Sequence, residues 1–150
     1  MIDSPRGPVD QIDLLVVGAG FGGIAMADRL LREGRGRDFL VLEAADEVGG
    51  TWRDNTYPGA ACDVPSQLYS FSFAKNPTWS RSYSHQPEIH DYINGVADRF
   101  GIGAKARFGT EVTRTAWNED EGRWIIDTLQ DERGWQELDG VAFELVVDPD

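Results

Sequence analysis

Gly18, Gly20 and Gly23 follow directly on the apolar run Ile12 to Val17, and Glu43 closes the next apolar run 20 residues after the last of them. Those types at that spacing suit a nucleotide's phosphates and ribose. The pattern supplies a tight turn at Gly18, close backbone approach to a pyrophosphate at Gly20 and close packing of helix on strand at Gly23. Ala19, Phe21 and Gly22 complete the loop, and the amides that open the following helix face the phosphates. Glu43 sets a carboxylate beside the ribose hydroxyls, where it accepts two hydrogen bonds and repels a 2′-phosphate. That favours FAD or NAD over NADP at this site.

A glycine fingerprint alone is a weak signal, so the surrounding elements carry the argument. Ile12 to Val17 is apolar apart from Asp13 and ends at glycine, the pattern expected of a buried parallel strand. A helix follows from about Phe21, with Ile24, Ala27 and Leu31 at helical spacing, Met26 and Leu30 alongside, and Gly34 as its stop before the basic turn Arg35 to Arg37. Phe39 to Leu42 is the second strand. Strand, helix and strand form a β-α-β unit, whose crossover is right-handed in nearly all folds.

From Asp46 to Ser84 periodicity disappears, yet Trp52, Tyr57, Tyr69, Phe71, Phe73 and Trp79 bring more aromatic surface than a disordered segment carries. The expectation is an ordered wrapping around a ligand. Tyr69, Phe71 and Phe73 alternate as on one face of a strand, a pattern that core packing alone also explains. Pro87 suits the first turn of a helix with Ile89, Tyr92, Ile93, Val96, Ala97 and Phe100 on one face and Gly101 as its stop. Ala106 to Phe108 is a third core strand. Val112 to Trp117 and Arg123 to Leu129 alternate around the turn Asn118 to Gly122 as a hairpin. Asp131 to Gly134 turns the chain again, Trp135 to Leu138 completes a small antiparallel meander, and Phe143 to Val147 returns to the main sheet. The fold class is therefore α/β, a Rossmann-like dinucleotide-binding domain with a parallel sheet, a crossover helix and a β-meander. A polar leader, residues 1–10, precedes the domain, residues 11–150.

The chain of 150 residues, 41% of them hydrophobic, suits one domain with a true core. With 14 basic and 26 acidic residues its formal charge is −12, which opposes binding to nucleic acid or to an anionic membrane. Eleven of the acids fall in residues 117–150, a solvated face. No apolar run approaches the roughly 20 residues of a membrane-spanning helix. Cys62, the single cysteine, forms no internal disulfide, and Met1 to Asp10 lacks a secretory apolar stretch, so a cytoplasmic location is expected. Cys62 reads as a small buried apolar group. His85 and His90, five residues apart, fall on different faces of a helix with no acid or cysteine cluster beside them, so no metal site is expected. Oligomeric state is left open by the sequence.

Gly49-Gly50-Thr51-Trp52, then Tyr57-Pro58-Gly59-Ala60-Ala61-Cys62-Asp63-Val64-Pro65-Ser66 and Leu68-Tyr69-Ser70-Phe71-Ser72-Phe73, resembles the class B flavin monooxygenases, most of all their Baeyer–Villiger branch. The resemblance runs from Asp13 to about Val147. It implies FAD, NADPH and O2 as reactants, with reduction of the flavin, addition of oxygen and transfer of one oxygen atom to a small-molecule ketone or to a soft heteroatom. It implies that Gly18, Gly20, Phe21 and Gly23 lie on the FAD pyrophosphate, with Ala19, Gly22 and Gly50 also among the cofactor-binding residues, and that Glu43 holds the adenosine ribose. Thr51, Trp52, Asp63 and Tyr69 would line the flavin side, and the backbone at Val112 would meet the adenine. In the family an aspartate matching Asp63 orients an arginine near the flavin, an electrostatic part in catalysis. Asp63 is also the one acid of an apolar segment, where a carboxylate is costly unless paired.

The sequence departs from the family in several places. No second glycine fingerprint for NADPH is present, and after Leu145-Val146-Val147 the chain reads Asp148-Pro149-Asp150 where the family continues through a small residue, threonine and glycine. That reads as a truncated gene, a frameshift or a fragment, inactive alone. Arg53, Thr56 and Ala61 stand where an aromatic and two basic residues are expected, and Ala61 weakens any NADP contact there. Two other readings compete: a non-catalytic nucleotide-binding remnant, and an NAD-dependent dehydrogenase domain, which leaves Gly49 to Phe73 without a role.

Overall fold

The computed structural model of the chain describes residues 10–34, 38–130 and 142–146. Strands β1 (Asp10–Ile12) and β2 (Leu14–Val17) lead through the glycine loop into helix α1 (Phe21–Glu33), and strand β3 (Phe39–Leu42) follows. A short helix α2 (Thr51–Asp54) lies in the irregular stretch that ends at helix α3 (Gln86–Arg99). Strands β4 (Ala106–Arg107), β5 (Thr110–Asn118), β6 (Arg123–Gln130) and β7 (Ala142–Val146) complete the order.

The expected first strand is divided at Asp13. β2 pairs parallel with β3, from Leu14 opposite Phe39 to Val17 opposite Leu42, and β3 pairs parallel with β4. β1 instead pairs parallel with β7, within a sheet ordered β1-β7-β6-β5. Asp13 marks the change of partner, its carboxylate accepting from the Asp38 amide at 2.7 Å. β7 therefore returns beside β1 rather than among β2, β3 and β4. The stretches Arg35 to Arg37 and Asp131 to Leu138, and Val147, lie outside the described residues.

Alternation along the parallel strands divides the interior into two layers. Phe39 and Val41, with Leu14 and Val16 beside them, face Ile24 and Ala27 of α1 and Ile89, Ile93, Val96 and Ala97 of α3. Leu40 and Leu42, with Leu15, face the hairpin through Val112 and Ile126. Ile24, Ile89 and Ile93 are fully buried, each contributing roughly 1.5–3 kcal/mol. That outweighs the cost of about 1 kcal/mol apiece for Gly22 and Gly23 in the first turn of α1. The packed face of α1 differs from expectation, since Asp28 is buried and ion-paired with Arg32 while Met26 and Leu31 are 49% and 43% exposed. Met26 points away from the stripe set by Ile24 and Ala27, and the packed surface ends a turn before Leu31.

α3 has proline in its first turn, and the left-handed Gly101 follows it, as expected. The hairpin β5-β6 turns through Asn118 to Gly122, where the Asn118 side-chain oxygen accepts from the amides of Asp120 and Glu121. A register shift between Val112 and Arg114 leaves Thr113 as an extra residue in β5.

Candidate functional site

Two glycine loops meet at the C-terminal end of the parallel strands. The first runs from β2 into α1, and the Gly18 amide donates to the Leu42 carbonyl at 2.7 Å, fixing the turn against the end of β3. Gly18 has φ +89°, which strongly favours glycine. A Cβ on Gly23 would fall 1.9 Å from the Gly18 carbonyl oxygen, so that position is closed to any side chain. Gly20 differs from both. A Cβ there meets only the Gly50 Cα, at 3.7 Å, an ordinary contact. Backbone conformation therefore requires glycine at 18 and packing requires it at 23, whereas at Gly20, the N-cap of α1, the protein leaves room for a side chain.

The second loop, Gly49-Gly50, lies directly against the first. The Gly49 amide donates to the Ala19 carbonyl at 3.0 Å, and a Cβ on Gly50 would approach the Gly20 Cα to 3.2 Å. Behind it, His90 Nε2 sits 3.3 Å from the Val48 carbonyl oxygen, and its ring occupies the space that a Cβ on Gly49 would need.

Glu43 follows β3 and is buried beneath both loops. Its Oε2 accepts from the Ala19 amide at 2.7 Å, and its Oε1 accepts from the Ala45 amide and from Arg53 Nη1, each at 3.0 Å. Ala19 thus has its amide on Glu43, its carbonyl on Gly49 and its side chain buried. Arg53 also donates to the Glu47 carbonyl at 2.7 Å and, through Nε, to Asp54 Oδ1 at 2.8 Å. Burial acts to lower the Arg53 pKa, but the Asp54 hydrogen bond and the charges of Glu43 and Asp54 outweigh it and raise the value. A buried carboxylate needs such a partner.

On the other side of the loops, aromatic residues pack in a cluster. Phe21 sits 4.9 Å from Tyr69 and 4.7 Å from Phe71, measured between ring centres, and Phe71 stacks on Phe73 at 4.9 Å. Trp52 is buried and donates through Nε1 to the Tyr69 hydroxyl at 2.9 Å. Tyr92 ties this cluster to α3, accepting from the Phe71 amide at 2.8 Å and donating to the Ala74 carbonyl at 2.7 Å. Burial raises the Tyr92 pKa, against the lowering effect of the Phe71 amide. Tyr69, Phe71 and Phe73 lie in turns, not in a strand, because their backbone partners come from side chains and local turns rather than from a neighbouring strand.

The structure therefore brings together Gly18 to Gly23, Glu43, Gly50 and Trp52, with Tyr69 joined through Phe21 and Trp52. Val112 lies two residues beyond Thr110, whose amide donates to the Glu43 carbonyl at 2.9 Å, so the hairpin starts beside the backbone of Glu43. Thr51 and Asp63 are exposed. The expectation that Asp63 needs a partner to offset burial is corrected by that exposure, since water solvates the carboxylate. Cys62 is buried in the core as expected. His85 lies within 3.1 Å of Arg81 through Nε2, and among the described residues no group of three or more His, Cys, Asp or Glu is placed to hold a metal. No described helix is long and apolar enough to cross a membrane. A concavity of about 400 Å³ on the hairpin, lined by Arg114, Trp117, Ile125 and Asp127 among others, lies away from the glycine loops.

Two functional side chains escaped sequence reasoning. Arg53 looked like a mere departure, although an arginine ten residues beyond a buried acid and next to a glycine pair was a usable signal. Gln86, also buried, donates through its side-chain amide to the Trp52 carbonyl and so anchors α2 to the start of α3. No local pattern marks it.

Residues 16–86 match the family model of an NAD(P)-binding Rossmann-like domain. A Baeyer-Villiger monooxygenase of Streptomyces coelicolor is 54% identical over 121 residues, 81% of this chain and 23% of that protein. An FAD-binding monooxygenase of Dothistroma septosporum is 40% identical over 116 residues, 77% of this chain and 18% of that protein. Among solved structures, a closed form of cyclohexanone monooxygenase superposes with a TM-score of 0.79 at 37% identity, covering 92% of this chain and 25% of that one. An oxidised steroid monooxygenase bound to NADP superposes with a TM-score of 0.73 at 40% identity, covering 89% and 25%. The chain thus spans about a quarter of the length of the proteins it matches.

Proposed function

We propose that this chain, a homologue of the Baeyer–Villiger monooxygenases over about a quarter of their length, is the FAD-binding part of an NADPH-dependent flavin monooxygenase. The observation that carries the reading is the pair of interlocked glycine loops, in which Gly20 is glycine although the fold would accept a side chain there. When bound, the flavin supplies the redox and oxygen-transfer chemistry, on a small-molecule ketone or soft heteroatom with O2 as co-substrate.

The residues fit that cofactor. Gly20, Phe21 and Gly22 open α1 and present backbone to the pyrophosphate, with the helix dipole adding positive potential. Glu43 takes the adenosine ribose, and the backbone at Val112 meets the adenine. Gly50, Thr51, Trp52 and Tyr69 form the flavin side, where aromatic and small residues suit a flat, largely apolar ring. Asp63, which is exposed, would orient a cation close to the flavin and act on developing charge rather than as a nucleophile. A leader, residues 1–10, followed by a cofactor module, residues 11–150, and a cytoplasmic setting belong to the same reading. The dehydrogenase alternative leaves unexplained why Gly49 and Gly50 are folded onto the first loop.

The test is the visible absorption spectrum of the purified chain after incubation with FAD and removal of the free excess. A retained flavin band is expected; a folded chain with no band contradicts the reading and favours a remnant without cofactor.

A further inference from the structure

A carboxylate offers about four acceptor positions, and among the described residues three on Glu43 are filled: Ala45 and Arg53 on Oε1, Ala19 on Oε2. Among these residues one position remains, on Oε2. Arg53 is held in turn by the Glu47 carbonyl and by Asp54, and only 16% of its side chain is exposed, so it is a fixed clamp rather than a loose surface cation. The contacts close a ring in which Glu43 bonds Ala19, Ala19 bonds Gly49, and Arg53, four residues on, returns to Glu43. Glu43 therefore cannot rotate to offer both oxygens outward, as a carboxylate gripping two ribose hydroxyls would.

We propose that Arg53 is a positioning residue that locks Glu43 with a single free acceptor, so that the adenosine ribose is held through one hydroxyl. The inference rests on the FAD reading above. Arg53 would act on the adenylate half of the cofactor and leave the flavin half untouched.

The test compares FAD with FMN, which lacks the adenylate, by flavin fluorescence titration of the full chain. Arg53→Met is expected to weaken FAD roughly tenfold, as for loss of one hydrogen bond to a charged group, and to leave FMN unchanged, with Arg53→Lys recovering part of the loss. ADP, 2′-deoxy-ADP and 3′-deoxy-ADP are then used as competitors. One deoxy form is expected to compete like ADP and the other about tenfold worse. Equal loss with FAD and FMN, an unchanged FAD to FMN ratio, or equal weakening by both deoxy forms would overturn the proposal. A thermal-unfolding cycle of Arg53→Met, Glu43→Gln and the double variant needs no nucleotide. A smaller drop from Arg53→Met in the Glu43→Gln background is expected, and additive drops would overturn the clamp. Binding of neither flavin by the unaltered chain would refute the FAD reading and the ribose role with it, while the unfolding cycle would still decide whether Arg53 holds Glu43.

Discussion

The cradle formed by the two glycine loops and the segment from Thr56 to Leu68 are neighbours in sequence but opposite in physical character. In the cradle the Glu43 carboxylate is buried and paired, Ala19 uses both its backbone polar groups within the protein, and Gly23 tolerates no side chain. In the other segment Ala60, Cys62 and Ser66 are buried, but Tyr57 is 64% exposed, Leu68 is 76% exposed and Asp63 is solvated. The glycine loops are thus closed by their own packing, whereas the segment from Thr56 to Leu68 leaves apolar surface and a carboxylate open to solvent. Neighbouring stretches of one fold can therefore differ sharply in how far their own contacts fix them.

The largest effect that would test this contrast is at Gly23. Gly23→Val should prevent cooperative folding, because the side chain displaces the Gly18 carbonyl and with it the turn, at a cost of about 3 kcal/mol or more; circular dichroism melting reads it. A variant that melts like the parent would show that the loop is slack and break the comparison. Tyr92→Phe comes next, since it removes a hydrogen bond to Ala74 and leaves the Phe71 amide unpaired, for a loss of about 1–3 kcal/mol in urea unfolding.

Alkaline titration sharpens the same point. The Tyr92 pKa is raised in the folded chain, so its contribution is fully present below the ordinary value of 10.0 and is lost as pH rises through the folded value. Stability should fall at high pH less steeply in Tyr92→Phe than in the parent, and parallel curves would contradict it. The smallest effect is at Asp63. Asp63→Asn should change stability by less than about 0.5 kcal/mol, as for a surface site, and a larger loss would show that this segment is packed as firmly as the cradle.

How much of this was legible in the sequence follows the range of the interactions. The apolar runs of β2 and β3, the helix from Pro87 to Gly101 and the Asn118 to Gly122 turn are local signals, and each appears where its residues indicate. The division falls at Asp13, the one charged residue of that run and so a visible break, but hydropathy does not tell which strand supplies the hydrogen bonds on either side of it. Leu31 kept helical spacing yet is exposed, since periodicity gives a face and not how far the packed surface extends. The aromatic run Tyr69, Phe71 and Phe73 mimicked a strand because two-residue spacing also arises when a turn-rich chain is pulled against a helix by Tyr92. The Arg53 clamp on Glu43 forms only when the second glycine loop folds onto the first, so residue types alone did not disclose it.

The central claim, that the glycine loops form a cofactor cradle, is tested most directly by FAD titration of the unaltered chain beside Gly20→Ala. Apart from its chain neighbours a methyl at Gly20 meets nothing closer than 3.7 Å, so the unfolding midpoint should stay within about 4 °C of the parent, as expected for a loss of about 1 kcal/mol or less on placing alanine at the N-cap of α1. The account predicts that FAD affinity nonetheless falls by roughly tenfold or more, because the methyl stands where the pyrophosphate must approach backbone. Equal FAD affinity in the two proteins would place any bound flavin elsewhere and contradict the account.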